Sequence, residues 1–185
     1  MTEHVKPPLR RALQPQDLAV FLAGAIDMGA AEDWQETVYE HIEAKGVVTH
    51  VFNPRRDDWD SSWQQHNDDP QFNSQVHWEQ DAIEAADIVV VYFTPTSKAP
   101  ITLMELGQLA GCPVGSKKTI VYCPDEFYRK GNVDIVCERA GIPVYNNEND
   151  FLHDLSLFID GFDEVKGYHA EMNEPTQRAL SISGL

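Results

Sequence analysis

The segment TPTSKAPITLMELGQLAG, residues 94 to 111, sets one carboxylate, Glu105, among apolar residues directly after a strand-like run. Thr102-Leu-Met-Glu105 has the S/T-x-x-E form of a capping box, in which the glutamate reaches back to the amide of the N-cap residue. A carboxylate in the first helical turn is also held ionised by the helix dipole, by roughly 0.3 to 1 kcal/mol, and an ionised carboxylate is a nucleophile. Capping and catalysis are compatible, because a cap fixes a rotamer. A second acidic group, Glu79, Asp81 and Glu84, lies on the helix-period segment NSQVHWEQDAIEAAD, residues 73 to 87. Glu79 and Ile83 are about one turn apart and share a face, whereas Asp81 points roughly 160° away from Ile83. Glu79 is therefore the acid expected to turn inward. A solvated helix face accounts for all three acids, but a nucleophilic carboxylate with a second acid is also what glycosyl transfer requires.

Other polar groups are arranged around the same chemistry. NPRRDDWD places Arg55 and Arg56 in an otherwise acidic chain. They read either as partners of Asp57 and Asp58 or as a clamp for a phosphate or carboxylate. GAIDMG offers Gly24, which lets a ligand approach the backbone closely, and Asp27, which either serves that ligand or begins a turn. Neither GxGxxG nor GxxxxGK[ST] occurs, no hydroxyl-rich phosphate loop follows the first strand, and the seven histidines show no HExxH spacing. No cofactor and no metal are expected. Cys112, Cys123 and Cys137 are scattered without ligand spacing, as reduced, buried thiols of a cytosolic protein would be.

These groups need a scaffold, and the chain supplies one of recognisable rhythm. With 185 residues and 42% hydrophobic content it can build one full core. Fourteen basic against 30 acidic residues give a net charge of -16, which repels nucleic-acid polymers and anionic membranes. No run of about 18 apolar residues occurs and the N-terminus has no apolar leader, so a cytoplasmic location is expected. Residues 1–17 read as an N-terminal arm and 166–185 as a polar tail, around a single domain at 18–165. Within it, apolar strand runs at 18–26, 47–54, 88–95, 118–124 and 142–146 alternate with helix-period segments at 33–46, 73–87, 102–111, 132–141 and 150–162. Such alternation predicts a three-layer α/β fold with a five-stranded parallel sheet in the flavodoxin-like order 2-1-3-4-5. In that architecture the ligand sits beyond the carboxyl ends of the strands, where the order reverses. The loops after strands one to four carry AGAIDMG, NPRRDDWD, TPTSKAPITLME and CPDEFYRKGNVD.

Taken in order, VFLAGAI, VFNPRRDDWD, QVHWEQDAIEAADIVVVYF, ITLMELGQLAG and YRKGNVDIVCERAGIPVY resemble the nucleoside 2-deoxyribosyltransferase-like family over residues 18 to 146. The resemblance implies that Glu105, in its MELG context, attacks C1′ of a 2-deoxyribonucleoside, the base departs, and a covalent deoxyribosyl-enzyme forms. It implies an acid at Glu79 and an asparagine at Asn132 that often completes a neighbouring subunit's site. An aromatic residue of the first strand that orients the nucleophile falls on Phe21, which lacks a hydroxyl. The family's aspartate six residues before the nucleophile is replaced by Ala99, which leaves Ser97, Lys98, Glu79 or Asp81 to protonate the base.

The expected catalytic set is therefore Glu105 as nucleophile with Glu79 and Asp81. The expected substrate contacts are Phe21, Gly24, Asp27, Asn53, Arg55, Trp78, Ser97 and Asn132. Trp59, Trp78, Tyr92 and Phe93 could stack a base, although Tyr92 and Phe93 must face opposite sides of their strand. The expected partners are a nucleoside or nucleotide, a free nucleobase and a second copy of the chain. Two rivals share the scaffold: a hydrolase of nucleoside 5′-monophosphates or related nucleotides using the arginine pair, and a non-catalytic nucleotide-binding module in which Glu105 only caps a helix.

Overall fold

The computed structural model describes residues 1–26, 32–58, 60, 62–113 and 118–171, with side chains described through residue 164. Six strands form one sheet: β1 (Glu3–Val5), β2 (Ala19–Gly24), β3 (His50–Phe52), β4 (Ile88–Tyr92), β5 (Lys118–Tyr122) and β6 (Val144–Tyr145). Their order is β1-β3-β2-β4-β5-β6, and every neighbouring pair is parallel. The five strands from β2 to β6 reproduce the 2-1-3-4-5 order. The sixth comes from the segment read as an arm, where Val5 is fully buried and Glu3 to Val5 pair with His50 to Phe52.

Helices α1 (Trp34–Lys45), α2 (Pro70–Ala85), α3 (Pro100–Ala110), α4 (Lys130–Ala140) and α5 (Glu148–Glu171) cover both faces. The last runs into the segment expected to be a polar tail. Strand pleating sorts the core into two layers. Phe21, Ala23, Val89, Val91 and Phe93 meet Trp78, Leu106, Val133 and Cys137 of α2, α3 and α4. Val20, Leu22, Val90 and Tyr92 meet Trp34, Val38, Phe151 and Leu155 of α1 and α5. Tyr92 and Phe93 thus face opposite layers, as alternation requires. Strand order reverses between β2 and β4, so the carboxyl ends at Gly24 and Tyr92 mark the switch point. No helix among the described residues is long and apolar enough to cross a membrane.

Candidate active site

Helix α3 carries Glu105 back along the sheet from the end of β4. Its start is set by Pro100, whose fixed φ suits the first helical position and whose missing N–H costs nothing there. The N-cap is Ala99, in a left-handed conformation at φ 40°, and its amide donates to Ser97 Oγ at 3.0 Å. Thr102 is consequently the third residue of the helix, and no side chain caps it, so the expected capping box does not form. Thr102, Glu105, Leu106 and Leu109 make the buried stripe that faces the sheet.

Glu105 is only 4% exposed, and no described side chain hydrogen-bonds to its carboxyl. Burial, then the charge of Glu79, pushes its pKa up to about 8. The dipole effect expected to keep it ionised fades beyond the first turn. Glu105 lies in the second, where desolvation prevails.

Helix α2 opens with Asp69 as N-cap, accepting from the amides of Gln71 and Phe72, and with Pro70 behind it. Its inner stripe includes Gln75, Trp78, Ala82 and Ile83, and Glu79 borders that stripe. Gln75 Nε2 donates to Glu79 Oε1 at 2.8 Å and to the Pro54 carbonyl at 3.1 Å. Burial raises the Glu79 pKa, and the Gln75 hydrogen bond works against that rise. Both α2 and α3 pack on β2, which brings Glu79 close enough for its charge to oppose ionisation of Glu105. Asp81 does not join them. It pairs with Arg10 and is 39% exposed, because two residues of helix turn it away from Glu79.

The remaining expected contacts divide by place. Phe21 and Trp78 are core residues, with ring centroids 6.5 Å apart, and the Trp78 indole N–H donates to the Leu9 carbonyl at 2.7 Å. Gly24 is required by packing: a Cβ there would come within 2.2 Å of the Trp34 ring and 2.7 Å of the Tyr92 carbonyl oxygen. Asn53 is buried, receives the Arg55 amide at 2.9 Å and meets His4 Nε2 through its own Nδ2. Arg55 Nη1 donates to the Glu32 carbonyl and to Gln35 Oε1 and lies 3.8 Å from Asp33. Arg56 grips Asp58 with two hydrogen bonds of 2.7 and 2.8 Å. Ser97 is buried in the turn before α3, and Asn132 stands exposed in the first turn of α4. Asp27 and Trp59 lie outside the described residues. Cys123 and Cys137 are buried and their pKa values raised by that burial, whereas Cys112 is exposed, contrary to expectation. Among the described residues no group of three or more His, Cys, Asp or Glu is placed to hold a metal ion.

Sequence reasoning passed over Gln75, although its position four residues before Glu79 on one helical face was the available signal. It also passed over Thr94, whose buried hydroxyl has no hydrogen-bond partner among the described residues.

The model of the family described as nucleoside 2-deoxyribosyltransferase-like matches residues 17–127, more than half of the chain. The chain belongs to this family. The matched span takes in both strands of the switch point, the buried Glu105 and the partly buried Glu79. No protein of curated function matches the chain significantly. Membership in the nucleoside 2-deoxyribosyltransferase-like family points to glycosyl transfer on nucleosides, with nucleosides and nucleobases as the small-molecule substrates.

Proposed function

We propose that the protein transfers a 2-deoxyribosyl group between nucleobases through an ester with Glu105. One observation carries the reading: in a member of this family, Glu79 and Glu105 form an electrostatically coupled pair beside the switch point. Two acids that both resist ionisation, one of them opposed by the other's charge, supply one acid and one carboxylate together when they share a single proton.

In the reaction, an oxygen of Glu105 bonds to C1′ while the C1′–N bond breaks and its electrons pass to the base. Glu79 gives its proton to the departing nitrogen, in the role that Ala99 lacks the chemistry to fill. A second base then attacks C1′, releases Glu105 as a carboxylate and returns a proton to Glu79. Gln75 favours charge on Glu79, whereas burial and the charge of Glu79 favour the protonated form of Glu105. Positive charge developing at C1′ reverses this preference, because it stabilises a carboxylate at Glu105 in the transition state.

The arginine pair supports transfer of nucleosides over hydrolysis of nucleotides, because Arg56 is engaged by Asp58 and Arg55 is held near Asp33. Asn132, exposed at the head of α4, is available to a second copy of the chain. Ile101, Met104 and Ile135 are exposed apolar side chains on α3 and α4, as a homo-oligomer would use. A cytoplasmic enzyme of nucleoside salvage is the matching setting. The test incubates the protein with deoxyribonucleosides, ribonucleosides and their monophosphates, with and without a free base, and follows products by chromatography. Base exchange on unphosphorylated deoxyribonucleosides supports the reading. Release without exchange, or activity confined to monophosphates, overturns it.

A further inference from the structure

Gln75 belongs neither to the nucleophile nor to the proton donor, yet its surroundings leave its amide one orientation. The side chain is 4% exposed. Its Nε2 carries two protons and both are committed, one to the Pro54 carbonyl at 3.1 Å and one to Glu79 Oε1 at 2.8 Å. Its Oε1 faces Arg56 Nη1 at 3.5 Å. Turning the amide over would set an oxygen against a carbonyl and a carboxyl oxygen and a nitrogen against a guanidinium. Glu79 Oε1 is therefore always an acceptor, and a proton on Glu79 resides on Oε2.

We propose that Gln75 is a positioning residue that anchors Glu79 to the loop after β3 and keeps its transferable proton on Oε2. This inference rests on the proposed transferase reading, in which Glu79 protonates the departing base. It also gives the NPRR segment a role apart from phosphate binding, since Pro54 and Arg56 fix the amide that fixes the acid. Among the described residues, the groups facing Glu79 are few. Glu105 opposes it from α3, Gln75 lies on its own helix, and Arg56 acts from the loop through Gln75. Asp81 is held by Arg10 from the N-terminal segment, and Glu84 is exposed on the helix surface.

The test compares Gln75→Met, similar in length but without donors, with wild type in the base-exchange assay as a function of pH. Loss of the N–H donor makes Glu79 release its proton at higher pH, so the basic limb of the kcat/KM profile shifts upward, and exchange at neutral pH falls by about 10- to 100-fold. In a Glu79→Gln background, the same change costs little more, because Gln75 acts through Glu79. A wild-type protein that exchanges bases, with a Gln75→Met variant of unshifted pH profile or fully additive loss, overturns the inference alone. A wild-type protein that exchanges no bases overturns the transferase reading instead. Should Gln75→Met fail to fold, the Gln75 side-chain amide of wild type is followed by NMR. The inference predicts that its protons move with the titration of Glu79, and an amide indifferent to pH contradicts it.

Discussion

On the α1/α5 face of the sheet, Glu148 and Asp154 accept hydrogen bonds from the hydroxyls of Tyr92 and Tyr145. On the α2/α3 face, among the described residues, Glu105 has no such donor and Glu79 has a single amide. Both faces bring acids to apolar surroundings near the carboxyl ends of the strands, but among the described residues only one leaves an acid without a donor. On the aromatic face the cost of burial falls on the tyrosines, whose hydroxyls resist ionisation. On the other face it falls on the carboxyls, both of which burial makes harder to ionise, with Glu105 pushed up to about 8. A buried carboxyl given a donor is a structural element, whereas one denied a donor keeps its capacity to react.

The largest effect in breaking this contrast is expected from Glu105→Gln. It should lower base exchange by about 10³-fold or more while leaving the fold intact, as measured by steady-state kinetics and circular dichroism. Glu79→Gln follows, with a loss of about 10²- to 10⁴-fold that is smallest for substrates whose leaving base needs least protonation. A rate loss independent of the leaving base would remove Glu79 from the role of acid.

Stability should report the same burial. The pKa of Glu105 rises from 4.5 to about 8 on folding, so between those values the unfolded chain has lost a proton that the folded chain keeps. Stability is then fully present below about pH 4.5 and falls as pH rises toward 8, by on the order of a few kcal/mol. Denaturant midpoints of wild type and Glu105→Gln across this window should converge at acid pH and separate at pH 8, with the variant the more stable. On the opposite face, Tyr92→Phe removes the donor to Glu148 and should cost about 1 kcal/mol of stability with base exchange unchanged. A large loss of exchange in Tyr92→Phe would show that the two faces are not functionally separate.

Much of the architecture was legible. The uninterrupted apolar runs of β2 and β4 mark doubly covered strands, and the spacing of Glu79 to Ile83 identified the inward acid while turning Asp81 outward. Edge strand β1 was not legible, because Glu-His-Val is too short and polar to register and is held by pairing with β3. Helix starts were misread at α2 and α3 for one reason. Pro70 and Pro100, each a first-position signal, were passed over for hydroxyl or amide residues farther on. That error placed Glu105 in the first turn and made it a dipole-stabilised anion. Its true state depends on how closely α2, α3 and β2 pack, a tertiary fact that local sequence does not encode. The same limit left the pairing of Arg56 with Asp58 as one of two readings and hid the demand of Trp34 on Gly24.

The most direct measurement of the central claim is to trap the intermediate. Wild-type protein is incubated with a 2-deoxyribonucleoside in the absence of an acceptor base, quenched in acid, digested and mapped by mass spectrometry. The account predicts a deoxyribosyl ester on the peptide containing Glu105, absent from Glu105→Gln and discharged when a free base is added before the quench. An ester on Glu79, or sustained base exchange with Glu105 never modified, would contradict it.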